Sequence, residues 1–364
     1  MMYHCRFFKG DKPCEFHKTS GAICTDACAF LQPMSGRRLI IKLGAMGDVI
    51  RTTPILREIW ERYSKSQIWW LTRFPEVIPG RVDVVLPFNL ESVLTLEATS
   101  FDTIYNLDKD REACALTHRL NALDKFGFTL HQGHPLGLNV EAERKIATGI
   151  DDEFSQKNDL SYQQEMFRIC WLGEFVSKRH DYVLPSFKKI LRPIYVHKGV
   201  KGVVGLNTSF GDRWSARRWH LPHWIELCKL LKKENYLVML LGGKEDEEFN
   251  RFLQKETDVF YAGTRYPIMR FAQQLLDACD VVVTPVTATM HLALALKKKV
   301  VVLNNIFNKH EFELYGRGVI VEPERPCNCY YGKVCTNKAY QCMQYLYPNQ
   351  VLNAIYKLEA RDGA

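Results

Sequence analysis

The chain has 364 residues, of which 46% are hydrophobic and 25% charged, and it carries a formal net charge of +8. This composition fits a globular protein of two ordinary domains or one large one, and no stretch approaches the roughly 18 consecutive apolar residues that a membrane helix needs. The positive balance favours anionic partners such as nucleotide phosphates, acidic glycans or a membrane face, but Lys and Arg are scattered and form no nucleic-acid motif, so nucleic acid is not an expected partner.

The N-terminus, MMYHCRFFKGDKPC, has no apolar signal-peptide core, so the expected location is the cytoplasm. Residues 1–36 are rich in Cys, Gly and Lys with little periodicity, and read as a small metal-stapled extension. From Arg38 the pattern changes. RLIIKLG is a strand, PILREIWERY is helical with Ile55, Ile59 and Tyr63 at helical spacing, and SQIWWLT, DVVLPF and DTIYNLD are further strands. Residues 110–180 read as mostly helical or irregular, and LPSFKKILRPIYVHKG reads as a linker near 185–200. A second alternating series follows: KGVVGLNTS, YLVMLLGG, DVVVTP and KVVVLNN as strands, with LPHWIELCKLLKKEN, IMRFAQQLLDAC and ATMHLALALKK as helices. PNQVLNAIYKLEAR is a terminal helix.

Strand–turn–helix thus appears once in each half. The expected fold is α/β: two Rossmann-like domains, 37–190 and 191–345, facing a central cleft, with 346–364 a C-terminal helix that crosses back to the first domain. Ligands should bind at the carboxyl ends of the strands.

LIIKLGAMGDVIRTTP occupies such a strand end. Gly44 and Gly47 let backbone approach a ligand closely, but the stretch lacks GxGxxG and is a poor dinucleotide fingerprint. Asp48 follows. It can cap the next helix, or Thr53 can cap it with Pro54 in the first turn; in either case a helix N-terminus favours an ionised carboxylate. Such a carboxylate at a cleft can also accept a proton from a hydroxyl nucleophile, and the pattern alone leaves cap and base open.

LIIKLGAMGDVIRTTPILREI resembles the opening of the ADP-heptose:lipopolysaccharide heptosyltransferases, glycosyltransferase family 9. VVGLNTSFGDRWSARRWHLPHWIELCKLL, LVMLLGGKEDEEF, YAGT, CDVVVTPVTATMHLALALKKKVVVL and CNCYYGKVC follow in the family's order, so the resemblance spans residues 37–358. It implies the GT-B fold and inversion at the sugar carbon with no metal in the chemistry. It weights Asp48 toward general base. It implies donor binding by Gly47, Thr208, Ser209, Arg217, Arg218, Thr287 and His291, with Arg217 standing where the family places a phosphate-contacting Lys or Arg. A guanidinium fork suits phosphate oxygens, though Arg217 and Arg218 also read as a solvated basic turn. Trp219 reads as packing. Thr287 and His291 lie near a helix start suited to a phosphate, and His291 reads equally as a buried structural histidine. One motif departs: VTATMH has Val286 where the family has Asp, which puts the identity of the donor sugar in doubt.

Twelve cysteines complete the reading. Cys114, Cys170, Cys228 and Cys279 are single residues in apolar surroundings, expected in the core. The other eight cluster as Cys5, Cys14, Cys24, Cys28 and as Cys327, Cys329, Cys335, Cys342, candidate ligands of structural zinc or an iron–sulfur cluster, at two sites or one shared site. The expected function is an inverting transfer of heptose or a related sugar from an ADP-sugar to a glycolipid acceptor such as lipopolysaccharide core, with peripheral contact at the inner membrane face. Two other readings remain: a non-catalytic sugar-nucleotide-binding protein, motivated by Val286, and a metal- or redox-sensing protein.

Overall fold

The computed structural model describes residues 1–186, 199–209, 214–261, 263 and 267–361. Most of the linker expected at 185–200, part of the phosphate loop (210–213) and most of YAGT lie outside the described residues.

The first sheet contains β1 (Arg37–Ile41), β2 (Gln67–Thr72), β3 (Val84–Pro87), β4 (Phe101–Asn106), β5 (Ala122–His131) and β6 (His134–Gly137), in the order β3-β2-β1-β4-β5-β6. All its pairings are parallel except β5–β6, an antiparallel hairpin absent from the sequence expectation. The second sheet contains β7 (Gly202–Asn207), β8 (Tyr236–Leu241), β9 (Phe260–Tyr261), β10 (Val281–Pro285), β11 (Lys299–Leu303) and β12 (Gly318–Val321), in the order β12-β11-β10-β7-β8-β9 and wholly parallel. Strands covered on both faces should be apolar throughout rather than alternating. Accordingly every residue of β10 is buried, as is β11 from Val300 to Leu303. Cys114, Cys170, Cys228 and Cys279 are buried in these cores.

In each sheet the chain reverses direction beside its first strand, opening a crevice at the carboxyl ends of β1 and β4 and of β7 and β10. Residues 110–180 resolve into the hairpin and four helices, Arg111–Arg119, Val140–Ile150, Asp152–Gln156 and Tyr162–Ile169, which cover the first sheet. The terminal helix Pro348–Ala360 does not cross back as expected. Its buried residues Val351, Leu352, Ile355 and Leu358 pack into the core of the second sheet, and Glu359 accepts from the Tyr236 hydroxyl at 2.7 Å.

The two halves meet at a seam. Asp181 accepts two bonds from Arg317, at 2.7 and 2.9 Å, and pairs with Lys297. The Tyr182 hydroxyl lies 3.0 Å from His291 Nδ1. The tightest approach is between the helix after β1, Met46–Thr52, and the helix after β10, Ala288–Ala295. A side chain at Gly47 would bring its Cβ to 3.0 Å from His291 and 3.1 Å from the Ala288 backbone. Gly47 thus sits where two helices cross closely, and a side chain there would press on His291 and Ala288. Gly47→Val should destabilise the protein by about 1–3 kcal/mol, the usual cost of overpacking. Urea unfolding measures this, and a wild-type unfolding free energy would show that the helices can part at no cost.

Candidate active site

β1 ends in the core, and Lys42, Leu43 and Gly44 carry the chain to the crevice. Asp108, just beyond β4, accepts from the backbone N–H groups of Leu43 (2.7 Å) and Gly44 (2.6 Å), with Lys42 Nζ at 3.4 Å from its other oxygen. Burial opposes the charge on Lys42, but Tyr162, Asp108 and Asp48 outweigh it and raise its pKa. This network holds the turn in which the helix Met46–Thr52 begins.

The cap differs from expectation. Ala45 is the N-cap, without a side-chain bond, and Asp48 is the third helical residue. Thr53 does not cap either; its hydroxyl donates to the Ile50 carbonyl and accepts from Val183 N–H. Released from capping, the Asp48 carboxylate meets Arg51 at 2.8 Å, and about 35% of its side chain is open to the cleft. Burial alone would push its pKa up, but Arg51, Lys42 and Lys145 together hold it below the usual carboxylate range. Asp48 therefore remains charged through neutral and mildly acidic pH and protonates only as pH falls through that lowered value.

Arg51 is held from several directions. Its guanidinium lies 3.8 Å above the Tyr162 ring, and Glu311 of the second half stands 3.9 Å away. Glu311 also accepts from the Tyr331 hydroxyl at 2.9 Å and lies 4.0 Å from Lys145, which pairs with Glu165 at 2.6 Å. Beside Asp48, on the side of the first sheet, is a cavity of about 340 Å³ with a mixed charged lining that includes Lys42, Lys109, Lys145 and Glu311. Burial and the neighbouring Lys145 push the Lys109 pKa down. Sequence reasoning missed Arg51, Lys145, Tyr162, Glu311 and Tyr331. Arg51 carries a legible signal, three residues after Asp48 on one helix face. The others are distant in sequence and follow no spacing.

On the second sheet, Asn207 at the end of β7 donates to Thr284 (2.9 Å) and Thr287 (3.2 Å). This joins the ends of β7 and β10 below the start of the helix Ala288–Ala295. Thr287 is the N-cap residue, without a side-chain cap bond. Ser209 is half-buried at the same strand ends. Arg217 is buried in a short turn, Ser215–Arg217, and donates to the Val286 carbonyl; burial lowers its pKa to about 10, which leaves it cationic at neutral pH. Val286 thus engages Arg217 through its backbone.

Three of the expected donor contacts are placed differently. Gly47 is covered by His291 and Ala288, so the close approach it permits is to protein. The Thr208 hydroxyl is buried and donates to Asn250 at 2.7 Å. His291 is 7% exposed, bonded to Tyr182, and driven to a pKa of about 3 by burial and Arg51, so it is neutral. Arg218 is exposed, its guanidinium 5.7 Å from the Phe249 ring, and Trp219 packs in the core with its indole N–H on the Leu346 carbonyl.

The C-terminal cysteines buttress the Arg217 turn. Ala216 N–H and the Ser215 hydroxyl donate to the Lys333 carbonyl at 3.1 and 3.2 Å, and Asn305 bridges the Ala216 carbonyl (2.9 Å) and Cys342 Sγ (3.3 Å). Backbone N–H groups of Cys329 and Thr336 point at the sulfurs of Cys327 and Cys329, and the Cys329 and Cys335 sulfurs are 3.8 Å apart. Bonds from Cys327 and Asn305 lower the Cys342 pKa to about 6 against burial. Thiolate character and N–H donors suit a metal site. Among the described residues, however, no three His, Cys, Asp or Glu side chains are placed to hold one ion. The N-terminal cysteines line a separate cavity against one another and share no site with this loop.

Two six-stranded sheets, each with a crevice at its switch point, a carboxylate beside one and a helix start with a buried arginine at the other, make a GT-B fold. Residues 197–341 match the model of glycosyltransferase family 9 (heptosyltransferase). The match lies in the second half of the chain. Lipooligosaccharide heptosyltransferase 2 of Campylobacter jejuni is 26% identical over 329 residues, covering 86% of this chain and 96% of the relative. A family 9 glycosyltransferase structure from Veillonella parvula aligns with a TM-score of 0.68 at 15% identity, covering 91% of this chain and 99% of the other. The ADP-heptose lps heptosyltransferase II of E. coli aligns with a TM-score of 0.59 at 14% identity, covering 90% of this chain and all of the other. Among the described residues no helix is long and apolar enough to cross a membrane.

The charge on Asp48 depends chiefly on Arg51. Arg51→Gln should raise the Asp48 pKa, moving the acid limb of any Asp48-dependent rate to higher pH. Carboxyl-selective NMR titration reads the pKa directly. An unchanged titration would assign the depression to another group.

Proposed function

We propose that the protein transfers heptose or a related sugar from an ADP-sugar to a hydroxyl of a glycolipid acceptor such as lipopolysaccharide core, with inversion at the anomeric carbon. The observation that supports this most is the charged Asp48, held by Arg51 and lining the cavity it shares with Lys42, Lys145 and Glu311. In the reaction an acceptor hydroxyl lies in the cavity beside Asp48. Its oxygen attacks the anomeric carbon from the face opposite the leaving diphosphate while Asp48 takes its proton. One displacement forms the glycosidic bond, breaks the bond to the ADP oxygen and inverts the carbon. The departing diphosphate gains negative charge, which the start of the helix Ala288–Ala295 and the cationic Arg217 favour.

The chemistry asks nothing of a metal. A structural ion on Cys327, Cys329, Cys335 and Cys342 would brace the loop behind Arg217. A glycolipid acceptor places the work in the cytoplasm at the inner membrane face. The non-catalytic alternative rests on Val286, and donor turnover separates the two.

The test is calorimetry with ADP and ADP-sugars, followed by NMR of products formed with lipopolysaccharide core acceptors. ADP at a hundredfold excess over its Kd should stabilise the protein by about 2.7 kcal/mol. Arg217→Ala should weaken ADP binding by about 1.5–3 kcal/mol, the range for a lost charge-assisted bond. Nucleotide binding without transfer or donor hydrolysis would favour the non-catalytic reading, and an unchanged ADP affinity in Arg217→Ala would move the phosphate site elsewhere.

A further inference from the structure

The carboxylates that line the cavity beside Asp48 are engaged or exposed. Asp48 pairs with Arg51 at 2.8 Å, and Glu311 accepts from the Tyr331 hydroxyl at 2.9 Å. Asp108 holds the Leu43 and Gly44 N–H groups, while Asp110, 3.7 Å from Arg73, and Asp152 are exposed. Most of its cations are engaged too. Lys42 lies 3.4 Å from Asp108, Arg51 holds Asp48, and Lys145 pairs with Glu165 at 2.6 Å.

Lys109 differs. It lies just beyond β4, is half-buried and lines the same cavity. Its ammonium donates to the Lys145 carbonyl at 3.2 Å and makes no ion pair among the described residues. An ammonium has three N–H donors, so two remain. The neighbouring helix leaves room for this group. Gly149, near the end of Val140–Ile150, also lines the cavity, and a Cβ there would collide with Lys109 Nζ. The φ of Gly149 is not positive, so the missing side chain provides space, not backbone freedom. Burial and the charges of Lys145 and Lys42 push the Lys109 pKa down, with Glu165 and Glu311 opposing. A partly buried cation short of a partner is costly, and an anion beside it offsets the burial and restores the pKa.

We propose that Lys109 is the subsite for an anionic group, a carboxylate or a phosphate, that the acceptor sugar carries close to the hydroxyl being glycosylated. This rests on the reading above that the acceptor lies in the cavity beside Asp48. Two spare N–H donors suit the oxygens of either group. The anion settles at the ammonium and the neighbouring hydroxyl at Asp48, whose own charge repels the anion. Lys109 thereby determines which acceptor, and which of its hydroxyls, reaches the base.

The test is calorimetry of the full-length protein with lipopolysaccharide core oligosaccharide in three forms: native, dephosphorylated, and carboxyl-reduced. One of the two edits should weaken binding to the wild type by about 10-fold or more, the effect of losing a charge-assisted bond, and so identify the anion. Lys109→Gln should lose a similar factor on the native form and be indifferent to that edit, with ADP affinity unchanged. Gly149→Ala, which displaces the ammonium while suiting a helix, should show the same selective loss without a lower melting temperature. Wild-type affinity indifferent to both edits would overturn the proposal. So would a Lys109→Gln variant that binds all three forms as the wild type does, or that loses equally on all three. Transfer by the wild type together with either result would leave the acceptor reading standing without the subsite. Selective binding without transfer would leave the subsite standing without the transferase. No binding of the native form would remove both.

Discussion

The crossing of two helix starts at Gly47 is the constraint on which the rest of the site depends. With no side chain at that position, the helix after β1 rests against His291 and the Ala288 backbone. That contact joins the helix after β1 of one sheet to the helix after β10 of the other. Asp48 is the next residue and inherits its position from this contact. The neutral His291 at the crossing, bonded to Tyr182, adds no charge to the seam.

Around this contact the charges alternate across the two halves. Asp48 pairs with Arg51, Arg51 with Glu311, Glu311 with Lys145 and Lys145 with Glu165. Buried ions are costly unless each has a partner, so the chain of pairs is a condition for placing any of them here. It also bears on the role proposed for Asp48 as a base. Its lowered pKa makes it weak in the Brønsted sense but always available, and its value lies in position and in matching the positive charge that develops on an attacking hydroxyl. A histidine with the pKa of His291 would be available too, but it is spent on the seam.

Legibility in the sequence followed locality. The valine runs of β10 and β11 and the apolar stretch of β1 announce buried parallel strands, because both faces of each are covered. The β5–β6 hairpin was missed because its turn, Gln132-Gly133 with positive φ at both positions, replaces the commoner Asn-Gly signal. The helices of 139–169 are capped by Asn139, Asp151 and Ser161, the last in a capping box with Gln164, signals present in the sequence among weak periodicities. The position of Asp48 at a strand-end turn was legible from its motif. The burial of Thr208, Gly47 and His291 was not, because what covers each residue comes from a distant part of the chain. Lys145 and Glu311, which share the pocket beside Asp48, are more than 150 positions apart in the sequence and meet only when both halves fold.

The central claim is that Asp48 takes the acceptor proton. Asp48→Asn preserves shape and the helix start but cannot accept a proton, and the direct measurement is the rate of sugar transfer by this variant alongside its donor affinity and melting temperature. The account requires transfer to fall by roughly 10²–10⁴-fold while donor binding stays near wild type and the fold remains intact. Transfer at the wild-type rate, with a melting temperature several degrees lower, would make Asp48 a structural partner of Arg51 and place the base elsewhere.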